Sequence, residues 1–192
     1  MVMVGSVNSA CELPVGVALQ RLHAHADARG ALVEGFRVSR DGATLAQFNV
    51  VTSKPHVLRG VHLHFDHADH LVMASGTVVV GLYDCRRAST TFGLAATVEL
   101  RELEHQLTVP PGVAHGFWFP EGGVMVYGLD VEWSPTDELG CRWDDPALGI
   151  NWPAGIRPEL SARDQDAGSL AEMIAQFETS QQHPAHAPAS TR

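Results

Sequence analysis

Seven short apolar segments follow one another between Leu45 and Leu129: Leu45–Val51, Val57–Phe65, Thr77–Tyr83, Ala95–Leu100, Gln106–Val109, Gly116–Phe119 and Val124–Leu129. Each is rich in Val, Leu, Phe or Thr and is bounded by Gly, Pro, Ser or Asp, the residues that start turns. Strands this short at such regular spacing predict an all-β fold, an antiparallel sandwich, jelly roll or barrel. With 192 residues there is room for one domain with a sizeable core. After Pro135 the pattern loosens, and Pro146, Pro153 and Pro158 block regular helix in the stretch 137–166. One helix is predicted near the C-terminus, where Leu170, Met173, Ile174 and Phe177 recur at helical spacing behind a cap at Asp166 or Ser169. Its apolar stripe is expected to pack on the barrel. The domain is expected over residues 1–182, with an N-terminal extension, and the Pro/Ala/Ser-rich end, 183–192, as a disordered tail.

Acidic residues number 22 against 13 basic ones, a formal charge of −9, which argues against the broad basic face of a nucleic-acid protein. Cys11, Cys85 and Cys141 are odd in number and form no CxxC pair, so the expectation is three reduced thiols in a cytoplasmic protein. No charged segment followed by a long apolar run opens the chain, and the longest apolar stretch is strand-length, so neither export nor a membrane span is expected. Eleven histidines nearly match the whole Lys and Arg count, and five of them, His56, His62, His64, His67 and His70, lie close together. On an extended strand His62 and His64 share a face. Arg59 just upstream would stand at the mouth of the same site, and His115 follows a Pro-Gly turn.

Two readings of these histidines are open. The His-x-His pair, an acid and a later Pro-x-Gly-x-x-His have the spacing of metal-binding cupin barrels, with ligands His62, His64, Asp69 and His115 suited to Fe, Zn, Cu or Ni. Asp69 stands where such barrels usually carry Glu. Alternatively the site holds no metal and one histidine is a general base.

Longer motifs weigh on that choice. Arg59-Gly-Val-His62, Ser89-Thr-Thr-Phe-Gly93, Pro110-Pro-Gly-Val-Ala-His-Gly-Phe117, Trp143-Asp-Asp-Pro-Ala-Leu-Gly-Ile-Asn-Trp-Pro153 and Leu160-Ser-Ala-Arg-Asp164 occur in this order, preceded by Asp27-Ala-Arg-Gly30 and Glu34. Together, over roughly residues 20 to 175, they resemble the dTDP-4-dehydrorhamnose 3,5-epimerase family. The resemblance implies a cupin-type jelly roll without catalytic metal or other cofactor. It also implies a homodimer that exchanges strands, and a dTDP-linked 4-keto-6-deoxy sugar inverted at C3, C5 or both. By the same resemblance His62 is the catalytic base, Asp164 the acid that pairs with it, and Tyr127 the proton donor. Arg29, Glu34, Gln47, Asn49, Arg59, His115, Glu138 and Arg163 fall at positions that contact the nucleotide sugar, Arg29 and Glu34 in the neighbouring subunit's site. His70 stands where the family has a lysine, and its protonated form is expected to help stabilise an enolate oxygen. His64 also departs from the family, two residues after the base.

The residue types suit that chemistry. Inverting a carbon beside a ketone requires removing an acidified proton and returning one to the opposite face. Histidine, with an ordinary pKa of about 6.5, removes protons efficiently near neutrality. A carboxylate on its other nitrogen fixes the tautomer, and the planar arginine fork binds phosphate oxygens in pairs. The alternatives left are a metal-dependent cupin enzyme and a sugar-nucleotide binder without catalysis.

Overall fold

All seven segments form strands, and one of them runs well beyond its apolar pattern. The computed structural model describes residues 12–182. In chain order it contains β1 (Ala18–Arg21), β2 (Ala24–Asp27), β3 (Gly30–Val33), α1 (Val38–Asp41), β4 (Gln47–Ser53), β5 (Val57–Leu63) and β6 (Asp69–Asp84). Then come β7 (Ala95–Arg101), β8 (His105–Val109), β9 (Val113–Phe119), β10 (Gly123–Leu129), β11 (Leu139–Gly140), α2 (Ala162–Gln165) and α3 (Leu170–Gln182). The first half of β6 pairs with β8 and β10, its second half with β7 and β9, all antiparallel. Through these neighbours β1-β8-β6-β10-β4 forms one layer and β7-β6-β9-β5-β11 the other. The result is a cupin-type jelly roll, as the sequence predicted.

Sequence pattern explains how one strand serves both layers. The residues it sends into the inner core are Leu71 and Met73 before the bend and Val78, Val80 and Leu82 after it. The change from odd to even positions coincides with a slip in the β10 register, where Val124 faces Ser75 but Met125 faces Met73. The extra residue, Ala74, is a bulge: it bends the strand and restores the inward face beyond it. Leu100, Leu107, Phe119 and Met125 complete this inner core. A second core lies outside the β5–β9 layer, where Leu170, Met173, Ile174 and Phe177 of α3 meet Val61, Leu63, Tyr83 and Cys85. The stripe of α3 thus packs on the barrel, each large side chain contributing about 1.5–3 kcal/mol of burial.

Two of the sequence motifs are structural. Gly81 of β6 lies under Trp152, so close that a Cβ there would stand 2.6 Å from the indole. Trp152 in turn donates Nε1–H to the Trp143 carbonyl at 3.1 Å, which clamps the 143–153 segment on the sheet. In the 89–93 turn, Ser89 and Thr91 donate their hydroxyls to Asp84 Oδ2 at 2.7 and 2.6 Å, and Arg86 Nε adds a bond to Oδ1 at 2.8 Å. Burial alone would raise the Asp84 carboxyl, but these donors hold it down at about 2. Asp84→Ala is therefore expected to cost about 3 kcal/mol at pH 7, read by urea unfolding. A carboxyl lowered in the folded state stabilises fully above its unfolded pKa and loses that contribution as pH falls. The difference between the two proteins should therefore shrink between pH of about 4 and about 2.

The N-terminal strands were not legible in the sequence. Among the described residues β2 and β3 pair only with each other, every residue of β2 is exposed, and Leu32 of β3 is 62% exposed. Cys85 and Cys141 are buried free thiols. Cys11 and the expected tail lie outside the described residues. Among those described, no helix is long and apolar enough to cross a membrane.

Candidate active site

A cavity of about 630 Å³ is walled by β4, β5, β10 and the segment 159–164. The last of these is far away in sequence and is fastened by backbone bonds. Leu58 N–H donates to the Glu159 carbonyl at 3.0 Å, and Glu159 N–H donates to the His56 carbonyl at 2.7 Å. Ser161 then caps α2, its hydroxyl oxygen accepting from Asp164 N–H at 3.1 Å. That short turn delivers Asp164 Oδ1 to 2.7 Å from His62 Nε2. Gly60 keeps the approach open. Its φ is +102°, and a Cβ there would lie 2.8 Å from the His115 carbonyl, forcing β5 off β9.

Because a carboxylate only accepts, Asp164 places the imidazole proton on Nε2 and leaves the Nδ1 lone pair as the base. Burial would raise the Asp164 carboxyl, yet the His62 hydrogen bond, Ser161 and the Gly60 N–H keep it below the usual carboxylate range. His62 Nδ1 lies 3.3 Å from Glu138 Oε1. Glu138 is itself held by Arg163 at 2.7 Å and by the Trp133 indole N–H at 2.8 Å.

Tyr127 lies on β10, opposite Asn49 on one side and Leu71 on the other. It packs against the inner core and also lines the cavity. Burial raises its hydroxyl pKa, and Asp69 and Glu138 raise it further, which keeps the phenol protonated at neutral pH. Gln47 and Asn49 line the β4 side, bonded to each other at 3.0 Å. Arg59 is pinned at the rim by the Ser53 hydroxyl and the Thr52 carbonyl, both 3.1 Å away. Arg163 stands half-exposed across the opening.

Three sequence-predicted residues are not brought into this wall. His70 lies outside the cavity lining, its Nδ1 3.2 Å from the Thr108 hydroxyl and its ring edge-on to Phe36. Alternation along β6 explains the miss: Asp69 faces the cavity, so its neighbour cannot. Burial also pushes the His70 pKa down, against the cationic role expected of it. Arg29 is exposed in the β2–β3 turn and pairs with Asp27 at 2.5 Å, while Glu34 pairs with Arg37 near the surface.

The metal set read from the His-x-His spacing is also rearranged. His62 is committed to Asp164, and it is His67 that joins His64, Asp69 and His115 at the cavity floor. Burial raises the Asp69 carboxyl to about 7 and lowers His64 to about 4, with His67 adding to the latter.

A carboxylate-oriented histidine and a protonated tyrosine in one open jelly-roll cavity define an acid–base isomerase of the cupin type. Comparison with known proteins agrees. The family model described as dTDP-4-dehydrorhamnose 3,5-epimerase matches residues 12–172. The dTDP-4-dehydrorhamnose 3,5-epimerase of Salmonella typhimurium is 38% identical over 138 residues, covering 68% of this chain and 74% of that one. Among solved structures, a 4-keto-6-deoxy sugar epimerase from the novobiocin biosynthetic gene cluster of Streptomyces spheroides superposes with a TM-score of 0.79 at 30% identity, over 92% and 94% of the two chains. A 3'-monoepimerase from Streptomyces bikiniensis, solved with dTDP-quinovose, gives 0.78 at 29% identity over 89% and 96%. The chain belongs to the dTDP-4-dehydrorhamnose 3,5-epimerase family.

Proposed function

We propose that this protein epimerises a dTDP-linked 4-keto-6-deoxy sugar in deoxysugar biosynthesis, at C3, C5 or both. The observation that carries the reading is the 2.7 Å His62–Asp164 pair in the same cavity as Tyr127. His62 Nδ1 takes the proton beside the ketone, and the C–H electron pair moves onto the carbonyl oxygen to give an enolate. Tyr127 returns a proton to the opposite face of the carbon. The histidine left protonated and the tyrosine left ionised are reset by exchange with water. Asp164 stabilises the imidazolium formed in the first half of the reaction. Arg59 and Arg163, with Gln47 and Asn49 beside them, form the rim that holds the nucleotide diphosphate.

The test is incubation with dTDP-4-keto-6-deoxyglucose in heavy water, with deuterium read at each carbon by NMR. Incorporation at C3 and C5 is expected of a full 3,5-epimerase, and incorporation at C3 alone of a monoepimerase such as the Streptomyces bikiniensis relative. Nucleotide binding without any incorporation would overturn the catalytic reading.

The same proposal includes a homodimer working in the cytoplasm, where reduced thiols such as buried Cys85 and Cys141 persist. Phe48 and Val50, 63% and 59% exposed, line one face of the edge strand β4, and the β2–β3 hairpin finds no further partner strand among the described residues. A second copy covering both would carry Arg29 and Glu34 to its neighbour's cavity. Sedimentation is expected to give twice the 20.7 kDa of the chain.

A further inference from the structure

The floor of the cavity gathers four groups whose hydrogen bonding leaves them in conflict unless a cation joins them. His67 Nδ1 lies 2.6 Å from Asp137 Oδ2, His64 Nδ1 lies 3.1 Å from the Asp137 carbonyl, and His115 Nδ1 lies 3.2 Å from the Val113 carbonyl. All three partners are acceptors, so in each neutral ring the proton is on Nδ1 and Nε2 carries a lone pair. The three Nε2 atoms surround one atom, Asp69 Oδ2, at 3.9 Å (His64), 3.9 Å (His67) and 3.4 Å (His115). That oxygen is fully buried and has no hydrogen-bond donor. Ligand atoms of His64, His67 and Asp69 lie within 4.8 Å of one another.

With the three rings neutral and Asp69 ionised, three lone pairs face an unpartnered carboxylate oxygen and repel one another, and burial removes the water that would relieve them. An ion ringed by four ligands at about 2.0–2.2 Å would hold them roughly 3.3 Å apart. His115 already stands 3.4 Å from Asp69 Oδ2, while His64 and His67, at 3.9 Å, would draw in on binding. His115 would close on the group of His64, His67 and Asp69 as its fourth ligand. Acceptors on the far nitrogens are also what orients a ligating histidine and raises its basicity.

We propose that His64, His67, His115 and Asp69 form a binding site for a divalent first-row transition ion. The donor set, three imidazoles and one carboxylate, suits zinc, iron, cobalt or nickel, and rules in nothing that needs thiolate. The site is distinct from the catalytic pair, because His62 points to Asp164 and is not a ligand. It stands whether or not the epimerase assignment does.

The test uses the full chain stripped by chelator and titrated with Co2+, following visible absorption and the thermal midpoint. One equivalent is expected to produce the bands of a low-coordinate cobalt site and to raise the midpoint, since an ion bound only by the folded state stabilises it. His67→Gln and Asp69→Asn should each weaken binding at least about tenfold, and His62→Asn should leave it unchanged. Without metal, Asp69→Asn should melt higher than the parent, because it removes a buried charge that lacks a donor; this also shows that the variant folds. If the four groups are reconciled by a shared proton instead, Co2+ will change neither spectrum nor midpoint. That result overturns the proposal, as would binding lost in His62→Asn and retained in His67→Gln.

Discussion

His62→Asn should abolish deuterium incorporation into the sugar while leaving dTDP binding within a few fold of the parent. Asparagine is shorter and gives up the Nε2 bond to Asp164, and it has no lone pair basic enough to remove a proton beside a ketone. Loss of a positioned general base costs about 10²–10⁴ in rate. The upper end is expected here, because Nδ1 is the only basic atom that the Asp164 pairing leaves free on this side chain. The measurement is exchange in heavy water by NMR, with calorimetric titration of dTDP as the control for an intact cavity. Exchange at more than a hundredth of the parent rate would assign the base elsewhere.

Tyr127→Phe should separate the two halves of the reaction. The variant removes one oxygen from a side chain that otherwise packs against the inner core, so the fold is expected to survive. Proton removal by His62 would continue, and the same histidine would return a solvent-derived proton to the face it came from. Recovered substrate is then expected to carry deuterium with its configuration unchanged, while inverted product falls by about 10²–10³. Loss of exchange and product together would mean that the phenol acts in the first step.

The apolar strands and the C-terminal helix were legible because each has one face in a core, and burial writes its period into the sequence. The first half of β6 was missed for the opposite reason. Asp69 and His70 open it, and residues that face a polar cavity or a histidine pocket do not read as half of a strand. β2 and β3 carry no pattern because, among the described residues, little covers either face. In the site, spacing along β5 placed His62 and His64 on one face, and motif likeness picked out His62 and named Asp164 as its distant partner, which the structure sets 2.7 Å away. Spacing could not show that the ring turns towards α2, since that direction is set by a bridge to Glu159 from the far end of the chain. His67 was invisible for a similar reason: it sits in a loop, and what aims it is Asp137, 70 residues later.

A strand that belongs to both layers leaves no hinge between them. The two halves of β6 cannot part or shear without breaking the ladders to β8 and β10 on one side and to β7 and β9 on the other. The molecule is therefore a cup of fixed bore rather than a jaw, and under the proposed function selection among sugars falls to the rim, not to a closure. Arg59 can be exchanged there with little consequence for the walls, whereas Trp133 and Arg163 also hold Glu138 beside His62. One scaffold of this kind can be retuned from one sugar to another at its lip.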